Sequence, residues 1–280
     1  MADYALANSW ERASRRLGLL EQHLDPLTQR RMSMLGLHQG SRCLEVGGGR
    51  GSVAAWLCEK VGPSGKVVAT DIDIRFLEKI GQPNFEARAH DITVDSLPDG
   101  EFDFVHTRWL LHHLRQPEIA IRRMISALRP GGWLLLEEVD FFPVHTSTSE
   151  LYVDFMMAVT GTVVAASGRD CLWARALPSL VSEMGLSQVG GEGDFAVLRG
   201  GSPMAEFFYL TAEQMRDRML AAEALSAERL DKALELLKDS NFWAFAGAGV
   251  AVWGQRPIGP APDHGRQLPP IHSVPPFNVG

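Results

Sequence analysis

The chain is poor in cysteine: Cys43, Cys58 and Cys171 are the three among 280 residues, far apart and odd in number. That spacing excludes a disulfide framework and argues against a zinc site. His106, His112 and His113 likewise lack a supporting cysteine or carboxylate at a metal-ligand spacing, so no metal is expected. Positive charge is in deficit, with a formal net charge of −7 and no basic cluster. Nucleic acid and anionic membrane surfaces both need a basic face, and are excluded as main partners. No apolar run approaches the roughly 18 residues that span a bilayer. The opening MADYALANSW has the build of neither a signal peptide nor a transit sequence. A cytoplasmic protein with a small-molecule partner is the expectation left by these absences.

What is present is the composition of an ordinary globular enzyme, 45% hydrophobic and 22% charged. From about residue 40 to 139, apolar strand-like runs alternate with helical spacing. SRCLEV opens onto four glycines within five positions, then SVAAWLCEKVG reads as a helix stopped by GPSG. KVVATDI, NFEARAHDI, FDFVHTR and WLLLEEV read as further strands, with a short helix at RFLEKIG. Pro117 suits the first turn of the helix PEIAIRRMISALR, which is expected to stop at PGG. Such alternation implies βαβ units, a parallel sheet, and ligands beyond the carboxyl ends of the strands.

Both flanks are mostly helical. Residues 1–39 form an expected N-terminal helical lid, with RRLGLLEQHL before Pro26 and LTQRRMSMLGL after it. A core over 40–255 carries cap helices at about 147–185 and 202–239, with strands at SQVGGEGDFAVLRG and NFWAFAGAGVAVWG. Residues 256–280 are a proline-rich tail.

The glycines answer to more than one template. A dinucleotide fingerprint G-x-G-x-x-G counted from Gly47 meets Ser52 where its third glycine belongs. The pattern that fits is E-x-G-x-G-x-G, with Glu45, Gly47, Gly49 and Gly51, and Gly48 between them. With it stand VVATDI, AHDI and ALRPGGWLLLEE, in order and at suitable spacing. Over roughly residues 40–140 these motifs resemble the class I S-adenosylmethionine-dependent methyltransferases. The flanks resemble small actinobacterial natural-product methyltransferases.

The resemblance implies an α/β fold: a Rossmann-like seven-stranded sheet, mostly parallel with the last strand antiparallel, under a helical lid and cap insertions. It implies S-adenosyl-L-methionine as cofactor and S-adenosyl-L-homocysteine as product. The glycines would lie against the methionyl and ribose parts, and Asp71 would accept the ribose hydroxyls. Asp91 would take the adenine amine, with Ile72 and Ile92 sandwiching the ring. Glu45 would attract the ammonium, together with a carbonyl near Thr107 and Arg108. Blander readings stand beside these: a strand-to-helix turn for the glycines, a helix cap for Asp71, an ordinary turn for Asp91.

For the chemistry, RWLLHHL follows the fourth strand. His113 matches a histidine that faces the acceptor in several small-molecule methyltransferases, which makes it the candidate base. His112 is its neighbour on the turn and is expected to point elsewhere. Glu138, between Glu137 and Asp140 at the end of the fifth strand, is a candidate for orienting the acceptor. The plain alternative is that the histidine pair only packs, and that these carboxylates face solvent. Tyr4, Trp10, Arg12, Arg15 and Arg16 lie in the N-terminal segment that covers the cofactor in enzymes of the family this chain resembles, where an arginine would bind the methionyl carboxylate. The plainer reading of these arginines is surface charge. The Phe-, Met- and Leu-rich stretch after Phe141 suits an apolar roof, so the acceptor is read as a small, partly hydrophobic metabolite. A homodimer through the N-terminal helices is the expected assembly. Rival classes are a cofactor-binding protein catalysing a non-transfer reaction such as cyclisation, a nicotinamide-dependent oxidoreductase, and a non-enzymatic relic.

Overall fold

The computed structural model describes residues 6–165, 167–168 and 171–259. The expectations for Tyr4 and for residues 260–280 of the tail lie outside them. Seven strands form one sheet, β1 (Arg42–Val46), β2 (Lys66–Asp71), β3 (Phe85–Ala89), β4 (Phe102–Arg108), β5 (Leu128–Asp140), β6 (Ser187–Arg199) and β7 (Trp243–Gln255). Their spatial order is β3-β2-β1-β4-β5-β7-β6. The pairs from β3 to β5 are parallel, and β7 runs antiparallel to both β5 and β6. This is the mixed sheet that the motif order implied.

The chain winds outward from β1 to β3, then returns to β4 on the other side of β1. The ends of β1 and β4 therefore diverge, and a crevice opens at this switch point. The middle of the sheet is covered on both faces, as a parallel sheet requires. On one face α1 (Ala13–Met34) and α2 (Ser52–Val61) pack Met32, Leu57 and Val61 against Cys43, Val67 and Leu135. On the other, α3 (Pro117–Ala127) and α5 (Leu177–Glu183) pack Ile121, Met124 and Leu177 against Leu44, Val105 and Leu134. Above the crevice, α4 (Glu150–Val164), α6 (Pro203–Ala221) and α7 (Ala227–Leu236) share an apolar cluster of their own.

Three local expectations change. Pro26 does not divide the N-terminal segment: α1 runs through it as one 22-residue helix. The missing N–H weakens one turn, but contacts on both sides hold the helix, Glu21 with Arg50 before the proline and Arg31 with Glu137 after it. PGG does not follow α3 as a free turn. β5 starts at Leu128 and takes Pro130–Gly132 into its own length as an irregularity in the pairing with β4. Finally, RFLEKIG keeps only a single 3₁₀ turn, Leu77–Lys79.

Candidate active site

The glycine loop leaves β1 at Val46 and enters α2 at Ser52. Gly47, Gly49 and Gly51 have φ of 74°, 55° and 92°, the left-handed region that side chains resist. At Gly51 space is closed as well, because a Cβ would come within 2.5 Å of Ile80 Cδ1. At Gly49 a Cβ would meet nothing within 4 Å, so here the bare backbone borders open cavity.

Asp71, ending β2, ties this loop in place. Its Oδ2 accepts the Gly49 N–H at 2.9 Å and its Oδ1 the Asp73 N–H at 3.0 Å. Burial holds its carboxyl above the usual range, against the pull of those two donors. A carboxylate with two backbone bonds still has lone pairs for a further donor. Asp91, after β3, accepts from the Thr93 hydroxyl and N–H at 2.6 and 2.9 Å, the hydroxyl being the main cause that holds it below its ordinary value. Gly48, Asp71, Ile72, Asp91 and Ile92 all line one cavity of about 1220 Å³. Beside Asp91, His90 lines it too, with both ring nitrogens buried and no hydrogen-bond partner.

Glu45 also borders the cavity, but its carboxylate is committed. Across the register of β1, β4 and β5 it meets His106 Nδ1 at 2.6 Å, and His106 Nε2 meets Glu137 at 2.9 Å. Burial alone would lower His106; the two carboxylates override it and raise it to about 9. Burial likewise acts against the Glu137 charge, yet His106, Arg108 and Thr28 bring it down to about 2. With a carboxylate on each nitrogen, the ring is an imidazolium donating twice. Thr28 and Arg31 of α1 reach the same Glu137. Arg108 donates to Thr28 and Asp25 at 2.9 Å each, and Ser52 also donates to Asp25, at 3.0 Å. Thr107 is fully buried, gives its hydroxyl to Val46 O at 2.8 Å, and is not among the residues lining the cavity.

The segment after β4 is strained: Trp109 has φ of 53°, which a tryptophan adopts only when its surroundings impose it. Its N–H donates to Glu137 O at 2.8 Å, and the next turn, Leu111–His113, brings both histidines to the cavity wall. His112 does not point away. Its Nδ1 meets Glu138 at 2.7 Å, while the other oxygen of Glu138 accepts the Leu111 N–H at 2.7 Å. The His113 ring lies 4.0 Å from that of His112 and keeps part of its surface open to the cavity. Burial, then the charges of His112 and Arg16, push His113 well below 6.5. Glu137, Glu138 and Asp140 are all buried, and Asp140 is clamped by Arg175 at 2.8 and 2.9 Å, so none of the three faces solvent.

Arg16 overturns its reading as surface charge, being 3% exposed and part of the cavity wall. A signal for it existed: Ala13, Arg16, Leu24, Thr28 and Arg31 share the buried stripe of α1 at helical spacing. Its polar members hide the stripe from any hydropathy pattern. His90 was missed for a different reason, since nothing in its sequence neighbourhood marks a buried imidazole.

The site fits an adenosyl-amino-acid ligand on its own geometry. The loop offers bare backbone, Asp71 and Asp91 offer acceptors at the ends of adjacent strands, and Ile72 and Ile92 offer apolar surface. The volume exceeds the roughly 300–1,000 Å³ of a single-ligand pocket, which leaves space for a second molecule.

Comparison with known proteins agrees. A family profile described as a methyltransferase domain matches residues 17–181. The ubiquinone/menaquinone biosynthesis C-methyltransferase UbiE of Pseudomonas fluorescens is 33% identical over 135 residues, 45% of this chain and 52% of that protein. The chain thus spans about half the length of the curated relatives it matches. Among solved structures, the [4+2]-cyclase SpnF is similar with a TM-score of 0.54 and 19% identity, over 85% of this chain and 82% of that one. Haemonchus contortus phosphoethanolamine N-methyltransferase 2, in complex with S-adenosyl-L-methionine, gives a TM-score of 0.51 at 15% identity, over 92% and 56% of the two chains. At these identities the structures bear on the fold alone.

Proposed function

This chain belongs to the methyltransferase domain family, and from that premise we propose that it is an S-adenosylmethionine-dependent methyltransferase acting on a small, partly hydrophobic metabolite. The observation that carries the reading is Asp71, fixed at the end of β2 by the Gly49 N–H beside open cavity. When bound, the cofactor supplies an electrophilic methyl group on a sulfonium.

The residues of this chain do the rest. Asp71 accepts ribose hydroxyls, Asp91 and Ile92 receive the adenine, and the glycine loop takes the methionyl end. Glu45 keeps negative charge at that end while its carboxylate stays on His106. In the chamber under α4 and α6, Val139, Val159, Phe207 and Phe208 exclude water and position an apolar acceptor. Positioning is the main catalytic effect here, since holding two reactants about 3 Å apart supplies roughly 7–11 kcal/mol. His113, kept neutral, takes the acceptor's proton on its ring, and the His112–Glu138 pair holds the turn that carries it. A fold that also supports a cyclase does not choose the reaction. The narrower likeness to actinobacterial natural-product enzymes belongs to this proposal, as does a homodimer through the outer face of α1. Light scattering that finds only the 30.8 kDa monomer would count against the dimer.

Calorimetry tests the cofactor. S-adenosylhomocysteine should bind and NADH should not, because Ser52 stands where a dinucleotide loop needs glycine. NADH binding the tighter of the two would sink the assignment.

A further inference from the structure

At its outer end the sheet carries a bare aromatic face. Along β6, Asp194 turns toward α1, where it meets Arg31, and Leu198 turns into the cluster under α4 and α6. Alternate residues of a strand point oppositely, so Phe195, Val197 and Arg199 lie on the other face. On β7, Phe245 stands opposite Val197 and Trp243 opposite Arg199. Phe142, just after β5, completes the group: its ring centre lies 5.8 Å from that of Phe195, which lies 6.2 Å from that of Phe245. α5 packs on this same face at the far end of β7, around Val252 and Gly254.

The described residues leave ten large apolar side chains exposed, and five of them, Phe142, Phe195, Val197, Trp243 and Phe245, meet here at 41–60% exposure. At about 150–250 Å² for a whole aromatic side chain, the bare apolar surface is on the order of 450 Å². That is the size of the largest patch on a typical monomer, about 300–600 Å², and such patches mark contact surfaces. None of the five lines the cavity, so the site already described does not account for them. β6 is also the edge of the sheet, 13 residues long, with neither lysine nor proline to keep another chain away. Its two acids, Glu192 and Asp194, are paired with Arg30 and Arg31 of α1. Arg199 stacks on the patch, its guanidinium carbon 5.4 Å from the centre of the Trp243 ring. Little charge is left to select an oppositely charged partner.

Area points to the occupant. Protein interfaces are about 60% apolar, so an apolar core of this size belongs to a contact of roughly 750 Å² per partner. A standard stable interface takes about 800 Å² from each side. A second copy brings the same apolar surface to meet the first about a two-fold axis. We propose that this face is a homodimer interface, in which the Phe195 and Phe245 faces of β6 and β7 from two copies pack on each other. It lies on the side of the sheet opposite α1, so it is separate from the outer face of that helix.

The test is sedimentation velocity of the full chain between about 1 and 100 μM, which brackets the micromolar end of interfaces of this area. The mass should rise from 30.8 kDa toward twice that value. Phe195→Lys and Trp243→Lys set a charge inside the contact, and each should raise the dimer dissociation constant at least about 30-fold. Both side chains are more than half exposed, so both variants should keep the wild-type urea midpoint at about 1 μM protein. Hydroxyl-radical footprinting reads the wild type alone: labelling of Phe195, Trp243 and Phe245 should fall several-fold from the dilute to the concentrated sample. A wild type that stays monomeric to about 100 μM overturns the proposal, whatever else then covers the patch. A dimer that both variants leave intact also overturns it, and places the two-fold axis elsewhere, the outer face of α1 included. Labelling that does not change with concentration does the same.

Discussion

Raising the pH should weaken the fold through His106. Its imidazole is completely buried between Glu45 and Glu137, and stands at about 9 in the folded protein against an ordinary value of 6.5. A group raised by folding gives its full stabilisation below its unfolded value and loses it as the pH rises through its folded value. The contribution of His106 is therefore complete below about pH 6.5 and gone above about pH 9. At about 1.4 kcal/mol per pH unit, that window is worth about 3 kcal/mol. The depression of Glu137 to about 2 is the same contact seen from its carboxylate, and adds nothing in this window. Its own effect has the opposite sign and is lost only in acid, as the pH falls toward 2. Urea unfolding of the protein without ligand measures this. With a slope near 3 kcal/mol per molar, the midpoint should fall by about 1 M between pH 6 and 9. Tyrosines and lysines elsewhere titrate at the upper end, so the quantity to read is the gap between the wild type and His106→Gln. That gap should be wide at about pH 6 and should close as the histidine loses its proton. A gap of equal size at both ends would show that the ring is neutral throughout, and the argument would fail.

Asp71→Ala should weaken S-adenosylhomocysteine binding by about 2–3 kcal/mol, roughly 30- to 150-fold, since in the proposed reading it removes the charged acceptor for the ribose hydroxyls. A change within threefold in a folded variant would reduce Asp71 to a brace for the glycine loop. His113→Ala should lower turnover by about 10²–10⁴ with cofactor affinity nearly unchanged, and Glu138→Gln should lower it less, through the turn that Glu138 holds. Equal small losses in both would assign the pair to scaffolding. Because burial, and after it the neighbouring His112 and Arg16, keep His113 well below 6.5, the rate of methyl transfer should stay level down to about pH 6. A fall centred near pH 6.5 that disappears in His113→Gln would contradict that placement.

The parts of this molecule that could be read in its sequence are those specified locally. The strand-like runs, the E-x-G-x-G-x-G loop with its three positive-φ glycines, and Asp71 at the end of β2 all lie within 30 residues of one another. Pro26 misled because a proline's local cost is real, and only contacts from distant residues outweigh it. PGG misled similarly: Gly131 and Gly132 pair with Arg256, 2.7 and 2.9 Å away and more than 120 residues along the chain. The Glu45–His106–Glu137 row needs the register of three strands before it exists at all, as its members stand 61 and 31 residues apart. His112 was set aside on helical geometry, whereas a 3₁₀ turn after a strained Trp109 carries both rings to the same wall.

One element joins these distant features. Along α1, Arg16 lines the cavity and donates to Gln214, Glu21 holds Arg50 of the glycine loop, Asp25 takes Ser52 and Arg108, and Thr28 and Arg31 close on Glu137. Each contact spends desolvation on charged groups, and at sites this buried such pairs add little net stability. What they add is position. A helix held only by apolar packing could slide by a turn with modest loss, but one pinned at five polar points along a single stripe has one register. That register sets Arg16 in the cavity wall and the Asp25 carboxylate beside the glycine loop at once, so the wall of the cavity is complete only when α1 is seated.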